Sequence, residues 1–128
     1  MIDLAKELSG TYTIRTKSDE ALEVEIKPSP AWPYFSGHFP QMPVLPAVAM
    51  IDISQHFVQE MMQSKNLLSN ISSFRIKNPV APNDKVLVKI QKELKDQAGV
   101  PADTYHVSWV SCEGDKPLAD ISLQFLEL

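Results

Sequence analysis

The sequence predicts an α+β fold: an antiparallel sheet of about six strands covered by one long helix. Three observations carry this. The run from Ala47 to about Met62 is apolar at helical spacing, with Val48, Ile51, Phe57, Val58, Met61 and Met62 joined by Ala49, Met50 and Ile53. Two stretches before it and about four after it alternate apolar and polar residues, the pattern of half-buried strands. Short polar turns join them, which makes neighbouring strands antiparallel and leaves one face of the sheet to be covered. The helix is the one large apolar object available for that face. Apolar on nearly every side, it reads as buried.

Taken in order, residues 2–8 suit a short helix that Ser9 and Gly10 end. Residues 11–17 are β-branched and aromatic enough for a strand. After the turn Ser18-Asp19-Glu20, Leu22, Val24 and Ile26 alternate with Glu23, Glu25 and Lys27, completing a hairpin. Six of the ten prolines fall at positions 28–46, which predicts a stiff loop that is neither strand nor helix. Pro46 suits the first turn of the helix that follows. Polar residues 63–66 close the helix, 69–77 form a strand, and 79–84 a turn. Val86, Val88 and Ile90 mark the next strand, and 96–103, with Gly99 and Pro101, a surface loop. Tyr105, Val107 and Trp109 alternate along a strand that also takes in Cys112, a small packing residue. Residues 113–117 turn the chain into a last strand carrying Ala119, Ile121, Leu123 and Phe125.

At 128 residues the chain fits one domain, 1–128, that can bury a core without disulfides or metals. A lone cysteine excludes a disulfide framework and a thiolate zinc cluster. A net charge of −4 argues against a general nucleic-acid binder. No basic region followed by an apolar one opens the chain, and no apolar run is long enough to span a bilayer, so the expected location is cytoplasmic.

Two ionisable residues interrupt the helix before Gln59: Asp52 and His56. A carboxylate there needs a reason, either chemistry or a local pair with His56 one turn on. A second unusual feature precedes the helix, where His38 sits between Gly37 and Phe39 in the proline-stiffened loop.

Together, Gly37-His38-Phe39-Pro40, Pro43-Val44, Pro46 and Val48, followed by Asp52, resemble the motif of the 3-hydroxyacyl-[acyl-carrier-protein] dehydratases of FabA and FabZ type. As in that family, the acid follows the histidine by 52 − 38 = 14 positions. Phe74-Arg75, Pro79-Val80, Pro82 and Asp84 resemble the family's strand and turn after the central helix, with one extra residue before Pro79, and 119–121 resemble its last strand. The resemblance implies a hotdog fold, a sheet wrapped around the central helix, in a homodimer or a larger assembly of dimers whose sites lie at the interface. It also implies a hydro-lyase that converts a 3-hydroxyacyl thioester into a trans-2-enoyl thioester. No cofactor is expected, and no metal, since His38, Asp52 and His56 lack a recognised ligand spacing. The thioester's carrier is acyl carrier protein or coenzyme A.

Such a reaction needs a base for the proton beside the carbonyl, an acid for the leaving hydroxyl, and donors for the carbonyl oxygen. His38 suits the first task, since imidazole titrates near neutral pH. Asp52 suits the second, directly or through a held water. The free N–H groups of Ala47 and Val48 at the start of the helix suit the third. Three residues depart from the pattern or narrow it: Ala47 replaces a glycine, Asp52 follows the Asp branch of the family, and His56 replaces a glutamine. His56 is therefore a candidate modulator of Asp52. Lys65, Arg75 and Lys77 are candidate docking residues for an acidic carrier. A hotdog thioesterase and a catalytically impaired acyl-binding partner subunit are the competing functions. His106 is expected to be a solvated strand residue.

Overall fold

Each alternating stretch forms a strand, and the apolar run forms a helix with the expected bounds. The computed structural model describes residues 3–35, 43–63, 68–93 and 102–126. Helix α1 (Leu4–Leu8) leads into strands β1 (Tyr12–Lys17) and β2 (Ala21–Ile26). A short 3-10 helix (Pro33–Phe35) and helix α2 (Ala47–Met62) follow, then β3 (Leu68–Ile76), β4 (Val86–Lys92), β5 (Ala102–Ser111) and β6 (Pro117–Leu126). The six strands form one antiparallel sheet in the order β1-β2-β4-β5-β6-β3.

That order makes β1 and β3 the two edges. Between β2 and β3 the chain must cross four inter-strand steps, about 19 Å at ~4.8 Å each. A helix of 16 residues rises about 24 Å, so α2 is long enough to carry the chain across the sheet. Local alternation sets which side chains face it, and the register lines them up in rows. Val24, Val88, Trp109 and Ala119 are successive cross-strand partners, as are Leu22, Ile90, Val107 and Ile121. All eight are buried. The largest member, Trp109, lies opposite the smallest, Ala119, which lets the row fill evenly.

Helix α2 closes over these rows. Ala49, Met50, Ile53, Ser54, Phe57, Val58 and Met61 are buried, an i, i+3, i+4 stripe. The Phe57 ring meets Tyr12 of β1 edge-on at 5.0 Å. Inside, the Trp109 indole Nε1 donates to Ser54 Oγ at 2.9 Å, tying helix to sheet. The expectation of burial on nearly every side needs correcting. Val48 is 58% exposed, and Ile51, Asp52, Gln55 and Gln59 are half-buried. One sheet has a single concave face, so it covers one stripe of the helix and leaves the opposite one.

Other boundaries also move. Pro46 is the N-cap of α2 rather than a residue of its first turn. The proline-rich segment contains the 3-10 helix, held by Trp32 and Phe35, both buried. Ala102 and Asp103 belong to β5 instead of a loop, because they pair with Leu126 and Phe125 of β6. Pro117 opens β6, a first strand position where a missing N–H is tolerated. Cys112 lies in the turn after β5, not in the strand. That turn needs the left-handed backbone of Gly114 (φ 75°) and Asp115 (φ 53°).

Candidate active site

Helix α2 begins without a side-chain cap. The Pro46 carbonyl accepts from Ala49 and Met50, the first bonds of the helix. Among the described residues no hydrogen bond uses the N–H groups of Ala47 and Val48, and both residues are exposed. The approach to the helix is held by Leu45, whose N–H donates to the Val80 carbonyl at 2.7 Å. Beside this helix end lies a cavity of about 290 Å³ with largely apolar walls. Val44, Leu45 and Ala47 line one side, and Ile76, Lys77 and Pro79 the other. It joins the first N–H groups of a helix, which carry partial positive charge, to a surface that accepts hydrocarbon. A second cavity, about 280 Å³, lies among exposed turns, and its walls carry Lys27, Lys85, Lys116, Asp84 and Glu113.

Asp52 stands one and a half turns into α2, half-buried, and is not among the residues lining the first cavity. Its described partner is Tyr34, whose hydroxyl donates to Asp52 Oδ2 at 3.2 Å. Burial, and then the neighbouring Asp52 carboxylate, push the Tyr34 phenol from 10.0 up to about 12, so it remains a donor throughout the neutral range. His56 does not pair with Asp52. Its Nε2 lies 3.9 Å from Glu60 Oε1, and its ring meets Phe57 edge-on at 5.4 Å. The two residues are one turn apart, but each has turned to a different neighbour.

His38 and Lys65 lie outside the described residues. Of the other expected docking residues, Arg75 is exposed, and Lys77 is engaged by Asp120 at 2.8 Å. His106 is exposed, with Nδ1 3.0 Å from Ser122 Oγ and Nε2 3.9 Å from Glu93. Burial and the nearby Glu25 raise the Cys112 thiol above its usual range. Among the described residues no cluster of three His, Cys, Asp or Glu side chains is placed to hold a metal. No helix among them is long and apolar enough to cross a membrane.

Two polar residues, Ser54 in the interior and the partly buried Tyr34, are not among the candidate residues named from the sequence. Ser54 looked like an ordinary helix residue, and only the tertiary fold places the Trp109 indole against it. Tyr34 left a signal. It lies in the aromatic run Trp32-Pro33-Tyr34-Phe35, and a partly buried phenol needs a hydrogen-bond partner just as an acid in an apolar helix does.

With this geometry in place, four similarities to known proteins can be set beside it. The model of the family described as "ApeI-like: ApeI dehydratase" matches residues 14–108. The 3-hydroxyacyl-[acyl-carrier-protein] dehydratase FabZ of Clostridioides difficile (strain 630) is 26% identical, the match covering 65% of this chain and 65% of that protein. Against the curated relatives it matches, the chain spans from about half to just under two thirds of their length. Among solved structures, the dehydratase heterocomplex ApeI:P from Xenorhabdus doucetiae superposes with a TM-score of 0.72 at 22% identity, covering 90% of this chain and 95% of that one. Thioesterase superfamily member 2 from Mus musculus superposes with a TM-score of 0.73 at 12% identity, covering 99% and 90%. The structural likenesses establish the hotdog fold, which is common to both reactions.

Proposed function

Since this chain belongs to the ApeI-like dehydratase family, we propose that it acts as a hydro-lyase that removes water from a 3-hydroxyacyl thioester, giving a trans-2-enoyl thioester. The observation that carries this reading is the family match, which spans both the His38 motif and Asp52. The apolar cavity at the uncapped start of α2 supports it, since an acyl group and a carbonyl oxygen need those two surroundings side by side. In the proposed reaction His38 takes the proton from the carbon next to the carbonyl. The hydroxyl leaves the following carbon as water, with its proton supplied by Asp52 directly or through a held water. The carbonyl oxygen, enolate-like at that moment, accepts from the N–H groups of Ala47 and Val48. The carrier is acyl carrier protein or coenzyme A, and the exposed Arg75 is the proposed contact for an acidic carrier.

The working unit in this proposal is at least a dimer of hotdog domains. Two surfaces favour it. The uncovered stripe of α2 carries Val48, Ile51, Asp52 and Gln55 at helical spacing, which a second helix would cover. Edge strand β3 continues the inner rows of the sheet with Ile71, opposite Leu123, and Ile76, opposite Ala119, yet these are 38% and 46% exposed. An edge strand with apolar residues and free backbone groups favours pairing with another copy. The cavity opens beside Ile76 at that same edge, and Asp52 does not line it. The site proposed for the dimer takes His38 from one protomer and Asp52 from the other.

Mass spectrometry of 3-hydroxyacyl thioesters of several chain lengths tests the reading. Loss of one water from the substrate is expected, and His38→Ala should lower the rate about 10²–10⁴-fold while still unfolding cooperatively. Release of free thiol without dehydration would assign the chain to the thioesterases instead. A His38→Ala variant at the parental rate would refute the mechanism.

A further inference from the structure

We infer that Tyr34 is a positioning residue for the proposed proton donor: its phenol holds one carboxylate oxygen of Asp52 and leaves the other to face the substrate. The inference rests on the role given to Asp52 above and adds a residue outside the histidine motif.

The Tyr34 ring has little freedom of its own. Two aromatic residues around it are buried: Trp32, just before the 3-10 helix, with its indole N–H donating to the Glu7 carbonyl at 2.8 Å, and Phe35, the last residue of that helix. These two rings stack with centroids 6.4 Å apart. Backbone bonds from Trp32 to Ser29 (3.0 Å) and from Phe35 to Trp32 (3.1 Å) hold the turn itself. Tyr34 is thus presented from a fixed base, and its hydroxyl reaches Asp52 Oδ2 at 3.2 Å.

Asp52 has no comparable support on its own helix. Its neighbour one turn on, His56, is directed to Glu60. A half-buried aspartate has two side-chain torsions and several staggered positions open to it. One hydrogen bond to Oδ2 removes most of that freedom. A carboxyl group protonated on Oδ1 can accept from Tyr34 at Oδ2 and still give the Oδ1 proton to the leaving hydroxyl. The two oxygens then have separate tasks, orientation and chemistry, which is how a proton donor keeps a fixed direction in a partly wet site. The contact also joins α2 to the segment that leads, four residues later, to His38.

The test is a set of four proteins: parent, Tyr34→Phe, Asp52→Asn and the double variant. Phenylalanine keeps the ring and its anchorage and removes only the hydroxyl. Tyr34→Phe should lower kcat for dehydration about tenfold with KM within about twofold, since orientation rather than substrate affinity is lost. In the Asp52→Asn background the same change should alter the residual rate less than about twofold, because a residue acting through Asp52 has nothing left to position. Cζ-labelled tyrosine gives an activity-free readout: the resonance that disappears in Tyr34→Phe should shift in Asp52→Asn. A merely structural tyrosine would lower both backgrounds by the same factor, and that result overturns the inference. So does a Tyr34→Phe enzyme at the parental rate. A parent chain that forms no enoyl product refutes the reaction and the positioning role together, whereas a chain that dehydrates normally without the hydroxyl refutes the positioning role alone.

Discussion

Replacing Ser54 by alanine removes one oxygen from the interior and leaves the Trp109 indole N–H without its acceptor. Both residues are 0% exposed, so water cannot take the place of the lost partner. An unsatisfied buried donor costs about 1–3 kcal/mol. Alanine returns about 0.5 kcal/mol through its better helix propensity. The net expectation is a loss of roughly 0.5–2.5 kcal/mol. At about 2.1 cal/mol/K per residue, a chain of 128 residues loses about 4 °C in Tm for each kcal/mol. The predicted fall is therefore about 2–10 °C. Urea titration followed by tryptophan fluorescence, with calorimetry alongside, measures it, and the m value should not change. A double-mutant cycle with Trp109→Phe isolates the bond from the volume change. In the Ser54→Ala background, removing the stranded N–H should cost less than it does in the parent, with a coupling of about 1–2 kcal/mol. A Ser54→Ala protein as stable as the parent, or a cycle with no coupling, would refute the claim that this bond ties the central helix to the sheet.

Alkaline stability should depend on Tyr34. Its folded pKa of about 12 lies above the unfolded value of 10.0, so its contribution is complete below about pH 10 and is lost as pH rises toward 12. The full difference would correspond to about 2.7 kcal/mol. Solvent screening of a partly buried ring reduces it to on the order of 1 kcal/mol. Between about pH 9.5 and 11.5 the parent should lose that much more stability than Tyr34→Phe, and parallel curves would contradict the assignment. For the assembly, inactive His38→Ala mixed with inactive Asp52→Asn after dissociation should regain up to about a quarter of parental activity through random, symmetric mixed dimers. A stable dimer without complementation would place both residues of a site on one chain, and a monomer in sedimentation equilibrium at micromolar concentration would exclude the dimer.

What the sequence determined by itself is whatever depends on near neighbours. Alternation at Leu22, Val24 and Ile26, and again at Val86, Val88 and Ile90, marks strands because side chains of an extended backbone change sides at every residue. The bounds of α2 were legible for the same kind of reason: proline precedes its first turn, and polar residues follow its last. The motif around His38 and the acid fourteen positions on was legible as a resemblance, which the match over residues 14–108 bears out at the level of the family. Tertiary structure alone decided what depends on residues far apart in the chain. The place of β3 beside β6 at the far edge follows from how α2 crosses the sheet, and no local pattern encodes it. Asp52 took Tyr34, eighteen residues before it, in preference to His56 one helical turn away. Spacing of four on a helix brings two side chains within reach of one another, but rotamers and competing partners choose between them, and here the 3-10 helix had already fixed a phenol beside the acid. The exposed stripe of α2 was hidden for a related reason: hydrophobicity records that a residue is to be covered, while the shape of the surrounding sheet decides whether its own chain can cover it.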